Sequence, residues 1–269
     1  MRGGRSAPMA NATSPTAPKP PRRWHSDLIW PVLRHPQRVL PTIASSLQPL
    51  WLTPLVVLSA LALLQVLAAV PMRQAAAAST MVELPTDYQY LTPEEQAQFQ
   101  SSLSASGGPM FTTVFPALAA LSRVWLGWLI AAAVLHLVLT LFGARATMGS
   151  ILNRVGWAGL PFAVQSAVRI AALIITRKLI TAPGLSGFGP AGDSFGAALA
   201  TNVLGQVDLF LIWCFLLLVL SLRAQDDPGP SKAWAAVLVT LLVMLILTAL
   251  PGALAAQLGG LTIVRPFLF

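Results

Sequence analysis

Charge is what this sequence has least of. Only 10% of its 269 residues are Asp, Glu, Lys or Arg, against about 25% in an average soluble domain. Hydrophobic residues make up 55% of the chain, and the mean hydropathy is +0.70. Because a compact soluble fold needs more polar side chains to cover its surface, the composition excludes a soluble fold and predicts a polytopic membrane protein.

Cysteine and catalytic motifs are also scarce. Cys214 is the single cysteine, which excludes an internal disulfide and a cysteine metal site. The three histidines, His25, His35 and His136, are too scattered along the chain to predict a metal site. The sequence lacks a His-Glu-x-x-His helix, a Gly-x-Ser-x-Gly turn, a phosphate-binding loop and a pair of intramembrane aspartates. We therefore expect no enzyme, no catalytic residue, no metal and no cofactor.

Long apolar runs dominate what is present. Five of them are long enough, at about 1.5 Å per residue, to cross a hydrocarbon core of roughly 30 Å. They cover residues 50–70, 115–142, 155–176, 199–222 and 233–256. The sequence thus predicts an all-α membrane protein, a bundle of five transmembrane helices over residues 50–256 with an outer loop at 71–114.

The few basic residues are concentrated before the first apolar run. Seven of the 17 Lys and Arg residues precede it, whereas Asp27 is the single acid there. By the positive-inside rule this end is cytoplasmic, and five spans place the carboxyl-terminal tail, 257–269, outside the cell membrane. The net charge of +8 is therefore a topology signal, and nucleic acid is not expected as a partner. Arg177 and Lys178 are discordant, because they fall in an outer loop, 177–198, where they must reach the interface from a helix end.

The residues before the first run divide into two parts. Residues 1–23 are rich in Pro, Ser, Thr and Ala, which predicts a disordered basic tail and no cleavable signal peptide. Residues 24–49 mix tryptophans and aliphatic residues with Arg34, His35 and Arg38, a pattern typical of a short segment that lies in the cytoplasmic interface and contacts anionic lipid. A plain loop leading into the first span is an equal alternative, and prolines limit any helix there to short pieces.

A short helix is predicted inside the outer loop. Thr92 supplies a cap, Pro93 takes the first helical position, and Glu95 is the reciprocal partner of the cap. The helix should end before Gly107 and Gly108. Because its faces are mostly polar, we expect a local decoration and not a domain.

Ionisable residues inside the apolar runs are the main functional candidates, because a charge in lipid costs several kcal/mol unless it has a partner or water. Arg169 and Asp208 fall at matching depths, each roughly 5 Å from the centre of its predicted helix, and we expect them to form an intramembrane polar pair. The accessory candidates are Gln165, one helical turn inward from Arg169, Arg123, nearer the outer end of the second span, and His136. His136 has no acid at its depth and is expected to be a neutral hydrogen-bonding residue, not a proton relay.

These polar residues are compatible with functions of different classes. As an interhelical tie, they would serve a non-catalytic protein that organises or supports other membrane proteins or the bilayer. As a polar path through Gln165, Arg169 and Asp208, they would serve a small-solute or ion transporter, although five spans without an evident inverted repeat count against this. We favour the first function. Its expected partners are the lipid bilayer, other membrane proteins or a second copy of the chain.

Two stretches of the sequence carry a family resemblance. Residues 142–162 read FGARATMGSILNRVGWAGLPF, where a glycine-rich turn is followed by Gly156, Trp157 and Pro161. This pattern resembles the middle of the Yip family, the Ypt/Rab-interacting membrane proteins and their prokaryotic relatives. The second stretch is DLFLIWCFLLLVLSL, which contains Trp213 and resembles the fourth span of that family.

The resemblance implies five spans, a cytoplasmic amino end and no established enzymatic activity. Eukaryotic members resemble one another in an Asp-Leu-Tyr-Gly-Pro element ahead of the membrane region, which is associated with binding of prenylated Rab GTPases. This chain lacks that element. The resemblance therefore points to the prokaryotic-type branch and does not imply binding of a GTPase.

Overall fold

The structure, a computed structural model, describes residues 24–46, 48–80, 88–106, 108–179, 182–192, 194–224 and 229–260, and within them all regular structure is helical. Four helical segments are long and apolar enough to cross a membrane: Leu52–Ala76, Met110–Leu141, Met148–Thr176 and Pro230–Gln257. A further pair, Phe195–Leu204 with Leu209–Arg223, is bent by 70° at a break. The all-α membrane bundle is confirmed, with five spans if the bent pair forms one.

The described part of the chain contains ten α-helices. They are α1 (Ile29–Arg34), α2 (Pro36–Ser45), α3 (Leu52–Thr80), α4 (Pro93–Ser106), α5 (Phe115–Leu141), α6 (Met148–Ala158), α7 (Leu160–Thr176), α8 (Phe195–Leu204), α9 (Leu209–Arg223) and α10 (Pro230–Gly260). Short 3-10 turns lie at Ser26–Leu28, Tyr88–Tyr90 and Ser186–Phe188, and a π-helical turn at Met110–Val114 leads into α5. The predicted tail 1–23 and residues 261–269 of the predicted carboxyl-terminal tail lie outside the described residues.

The segment before the first span forms α1 and α2, which pack onto the bundle. Its prolines restrict it to short helices, as the sequence predicts. Val32, Leu40 and Ile43 are each at most 1% exposed and belong to the main hydrophobic core. The segment is therefore not a plain loop, because its inward faces close one end of the bundle. We call this the α1–α2 end and the opposite one the far end.

The main core lies at the α1–α2 end. It joins α1 and α2 to the carboxyl ends of α5 and α9, to α6 and to the amino end of α10, through Leu135, Leu139, Ile151, Trp157, Leu217, Leu222, Ala233 and Ala236. Ser150 Oγ donates to the Ala44 carbonyl at 2.8 Å, and Lys232 Nζ donates to the Phe142 carbonyl at 2.9 Å. These contacts fix how the six helices meet at this end.

The sequence prediction ended the first span too early and began the third span too late. α3 continues to Thr80 rather than ending at residue 70, because four consecutive alanines follow Pro71 and alanine has the highest helix propensity. The third span begins at Met148 rather than at residue 155, because the Thr147 hydroxyl accepts the Ser150 N–H and caps α6. The span then has a break at Gly159, after which α7 begins.

The fourth span is not the continuous helix that the sequence predicts for residues 199–222; that prediction is wrong. α8 ends at Leu204 and α9 begins at Leu209, and the two helices meet at 70°. Gly205 has low helix propensity, and Asp208 caps the amino end of α9. Hydropathy alone does not detect the break, because the sequence is apolar on both sides of it.

The predicted capping box at the start of α4 is confirmed. The Glu95 N–H donates to Thr92 Oγ1 at 3.3 Å, and the Thr92 N–H donates to Glu95 Oε2 at 2.9 Å. Both bonds satisfy backbone donors that the first turn of a helix leaves free. The helix runs from Pro93 to Ser106, just before the predicted glycine stop.

Candidate functional site

Asp208 stands at the amino-terminal cap of α9 and not within a continuous helix, which corrects the position predicted for it. Its Oδ1 atom accepts the Leu211 N–H at 2.9 Å. A carboxylate at this position also interacts favourably with the helix dipole. α9 runs from Asp208 to the main core, so the carboxylate lies toward the far end of the bundle.

The second carboxylate oxygen of Asp208 faces α7. Gln165 Nε2 donates a hydrogen bond to Oδ2, and Arg169 Nη2 lies 3.8 Å from the same atom. Since 3.8 Å is beyond hydrogen-bond distance, Gln165 supplies the directional contact and Arg169 the compensating charge. The side chains of Arg169 and Asp208 are 30% and 17% exposed. The structure thus brings Gln165, Arg169 and Asp208 together and joins α7 to α9.

Gln165 and Arg169 reach one carboxylate because they are four residues apart in α7 and therefore lie on one face of that helix. Arg169 lies about 10 Å from the middle of the span Met148–Thr176, at 1.5 Å per residue. The polar cluster is therefore further from the centre of the bundle than the predicted 5 Å, since the third span begins earlier than the sequence suggested.

The other two ionisable candidates do not join these contacts. Arg123 is exposed on α5, close enough for its charge to repel that of Arg169, and it forms no ion pair with the described residues. His136 has a buried Nδ1 atom with no hydrogen-bond partner in the described part of the chain. The hydrogen bond expected of His136 is thus not formed at that nitrogen.

Uncharged polar side chains beside the break were missed by the sequence analysis. Gln206 Nε2 donates to the Leu245 carbonyl of α10 at 3.4 Å, and the Thr248 hydroxyl donates to Gln206 Oε1. A Cβ atom added to Gly252 would lie 2.9 Å from Asn202 Oδ1, so α8 and α10 approach closely there. The signal was present as the amides Asn202 and Gln206 within an apolar run, but the sequence does not show that the run is broken beside them.

A loop at residues 182–192 packs against the break. The Leu185 N–H donates to the Leu204 carbonyl at 3.0 Å, one of the acceptors that the end of α8 leaves free. Gly184 has φ of +58°, and a Cβ atom added there would lie 2.7 Å from the Gly205 carbonyl oxygen. The loop therefore supplies a hydrogen-bond donor to a carbonyl that the end of α8 leaves free. Its close approach to the break requires glycine at position 184.

At the α1–α2 end, Asn153 ties α6 to the connection before α3. Its Oδ1 accepts the Trp51 N–H at 3.0 Å, and its Nδ2 donates to the Gln48 carbonyl at 2.9 Å. The residue is 1% exposed. The sequence analysis missed Asn153 because it placed the residue ahead of the third span, where an amide is expected to contact water.

The residues that carry the family resemblance have packing roles next to Asn153. A Cβ atom added to Gly156 would lie 3.3 Å from Trp51 Cβ, so glycine permits close approach of α6 and the start of α3. Trp157 is 0% exposed and its Nε1 donates to the Leu50 carbonyl at 3.0 Å. Pro161 is buried in the first turn of α7, and Trp213 of α9 packs against the main core.

These helices present large apolar side chains outward along their length, among them Leu126, Leu137, Ile175, Leu216 and Leu242. Such a surface, on spans of sufficient length, defines an integral multi-pass α-helical membrane protein. The Yip1 domain model matches residues 30–252. The chain therefore belongs to the Yip family, which confirms the resemblance. No curated protein and no solved structure gives a significant match.

Proposed function

We propose that this chain is a non-catalytic membrane protein that organises or supports other membrane proteins or the bilayer. The observation that carries the proposal is the use of the Asp208 carboxylate by its own chain. Leu211, Gln165 and Arg169 all engage it, and a carboxylate offers about four acceptor positions. An acid held in this way ties α7 to α9, and its charge is already compensated by Arg169, which disfavours the binding of a transported cation.

The outward surface of the spans is consistent with this function. Within the apolar stretch of Leu52–Ala76, only 17% of the residues are buried inside the bundle, and within that of Met110–Leu141 only 22% are. The remaining surface of these helices is available to lipid or to another membrane protein. Transmembrane partners associate through packing on such faces.

We also propose that the protein lies in the cell membrane with the α1–α2 end in the cytoplasm. The basic residues Arg34, Arg38, Arg223 and Lys232 lie at this end. The acidic residues of α4, Glu94 and Glu95, follow α3 and lie toward the far end. If α8 and α9 count as one span, the chain crosses five times and its carboxyl end is outside.

The proposal is tested by purifying the full chain in mild detergent and quantifying copurified proteins and lipids. In parallel, the purified chain is placed in liposomes and fluxes of Na⁺, K⁺, Cl⁻ and protons are recorded. We expect a partner or a second copy at a fixed ratio, and fluxes equal to those of protein-free liposomes. Flux that requires the chain would contradict the proposal.

A transporter is the second candidate, and the break in the fourth span favours it. Discontinuous helices with polar residues at the break form substrate sites in many transporters. Asp208, Gln206 and Asn202 all lie at or beside the break. This function predicts a flux that Asp208→Asn abolishes while Ser194→Ala, which removes only the cap of α8, leaves it intact.

A further inference from the structure

A cavity of about 340 Å³ lies where α1 meets α2, lined by Arg34, His35, Pro36, Gln37 and Arg38. His35 leaves the helical conformation, with φ of −134° and ψ of 56°. This ends α1 and redirects the chain into α2. The side chains on the two sides of the joint therefore border one half-open space.

The cavity is basic, and its cations are not neutralised within the described structure. Arg34 and Arg38 are exposed, and neither forms an ion pair or a side-chain hydrogen bond with any described residue. The first turn of α2 lines the same cavity, and His35 provides no side-chain cap for it. The amino end of a helix attracts anions, so it adds to the field of the two guanidinium groups.

The residues around the cavity are typical of a segment that lies at a membrane surface. The inward faces of α1 and α2 are anchored in the main core by Val32 and Leu40. Trp30 is 66% exposed and precedes Arg34 by four residues, so both lie on one face of α1. Trp24 is 54% exposed. Exposed tryptophans of membrane proteins lie at headgroup level.

We propose that this cavity binds the phosphate group of an anionic phospholipid headgroup. Arg34 and Arg38 are its cationic partners, since guanidinium groups bind phosphate oxygens through paired N–H donors. A volume of about 340 Å³ suits a headgroup and not the acyl chains. Trp30 lies beside the headgroup at the interface. The site is remote from the cluster at Asp208 and does not depend on the proposed function.

The test measures binding of phosphatidylglycerol and phosphatidylcholine to the full chain in mild detergent by native mass spectrometry. We expect the chain to prefer phosphatidylglycerol, and Arg34→Gln with Arg38→Gln to weaken its binding roughly tenfold or more, since each basic residue near an anionic surface contributes about 1 kcal/mol. Binding of phosphatidylcholine should not change.

A matched control, Arg177→Gln with Lys178→Gln, removes the same charge at exposed positions near the end of α7 and should leave binding unchanged. Equal losses in both double variants, or no preference for phosphatidylglycerol in the native chain, would overturn the proposal. Binding of glycerol 3-phosphate is measured in the same way, to distinguish recognition of a lipid headgroup from recognition of a free phosphate. Equal affinity for glycerol 3-phosphate and for the lipid would overturn the assignment to a headgroup.

A second variant, Arg34→Lys with Arg38→Lys, keeps the net charge and guards against a failure of the first variant to fold. We expect it to bind phosphatidylglycerol severalfold more weakly than the native chain, because an ammonium cannot make the paired contacts of a guanidinium. Native affinity in the lysine variant would contradict the arginine contacts.

Discussion

At the scale of single residues, Asp208 combines two roles in one carboxylate. One oxygen caps α9 through Leu211, and the other meets Gln165 and Arg169 of α7. The two roles can be separated, because asparagine caps a helix about as well as aspartate but carries no charge. A swap of Arg169 and Asp208 does not separate them, since it would place a cation at a helix amino end.

We predict that Asp208→Asn lowers the free energy of unfolding by about 1 to 2 kcal/mol, because it removes the charge opposite Arg169. Asp208→Ala should lower it by about 1 kcal/mol more, because it also removes the cap. The measurement is denaturant-induced unfolding in mild detergent, followed by circular dichroism.

Two variants control this prediction. Ser194→Ala removes the cap of α8 and no charge. It should therefore lower the free energy of unfolding by about as much as the difference between Asp208→Ala and Asp208→Asn. Arg169→Gln should lower the free energy of unfolding by less in the Asp208→Asn background than in the native chain, because the guanidinium has then already lost its counter-charge. Additive effects of the two substitutions would show that Arg169 and Asp208 do not interact.

Asn153 is the second residue with a large expected effect. We predict that Asn153→Ala lowers the free energy of unfolding by about 2 to 3 kcal/mol, because it leaves the Trp51 N–H and the Gln48 carbonyl without their partner. The same unfolding measurement checks it. Ser150→Ala, which loses a single bond to Ala44, is the matched control and should cost about 1 kcal/mol. An equal or smaller effect at Asn153 would contradict the tie.

At the scale of elements, the break between α8 and α9 is stabilised from three sides. Asp208 caps α9, the loop at 182–192 satisfies a carbonyl of α8, and Gln206 contacts α10. An unsatisfied backbone group within a membrane costs several kcal/mol. These contacts explain how a helix can be interrupted in an apolar run without losing the fold.

We predict that Gly184→Ala destabilises the break, by at least about 1 kcal/mol, because its φ is positive and its Cβ would meet the Gly205 carbonyl. Limited proteolysis of the loop, alongside denaturant-induced unfolding, measures the effect. Gly187→Ala is the control, since a Cβ atom there has no neighbour within 4 Å and its φ is not positive. Similar proteolysis of the two variants would contradict the role of Gly184.

At the scale of the whole molecule, the fold separates its two polar features. The basic joint of α1 and α2 lies at one end, whereas the cluster of Asp208 with Gln165 and Arg169 lies toward the other. The main core holds the first end together through buried aliphatic and aromatic side chains. At the far end, the contacts of Asp208 with Leu211, Gln165 and Arg169 join α7 to α9, and Gln206 joins the break to α10.

Orientation is testable because Cys214 is the only cysteine. In a Cys214→Ala background, we predict that an impermeant maleimide labels Gln98→Cys and Ala256→Cys on intact cells. Ser26→Cys should react only after permeabilisation, because the α1–α2 end is proposed to face the cytoplasm. All three positions are exposed on the structure. If Ser26→Cys alone were labelled on intact cells, the orientation would be the opposite of the one proposed.

Much of the architecture could be predicted because its causes are local. Apolar runs of membrane length gave the spans, and Thr92 with Glu95 gave the start of α4. The candidate pair of Arg169 and Asp208 came from charge in an apolar run, and the structure brings them within 3.8 Å. The hydrogen bond from Gln165 could not be predicted in the same way, because an uncharged amide has no required counter-charge and its partner depends on how α7 and α9 pack.

By itself, the sequence determined that this chain is an all-α membrane protein, because run length, hydropathy and capping depend on adjacent residues. The stretch with Gly156, Trp157 and Pro161 carried the resemblance to the Yip family, which the family model confirms. Only the tertiary structure decided that α1 and α2 are part of the core, that the fourth span is broken and that Asp208 caps α9 while it meets α7. Those features depend on which helices become neighbours. The free energy of a polar group in a membrane is set by those neighbours, which is why only the packed bundle determines the depth and the partners of each charge.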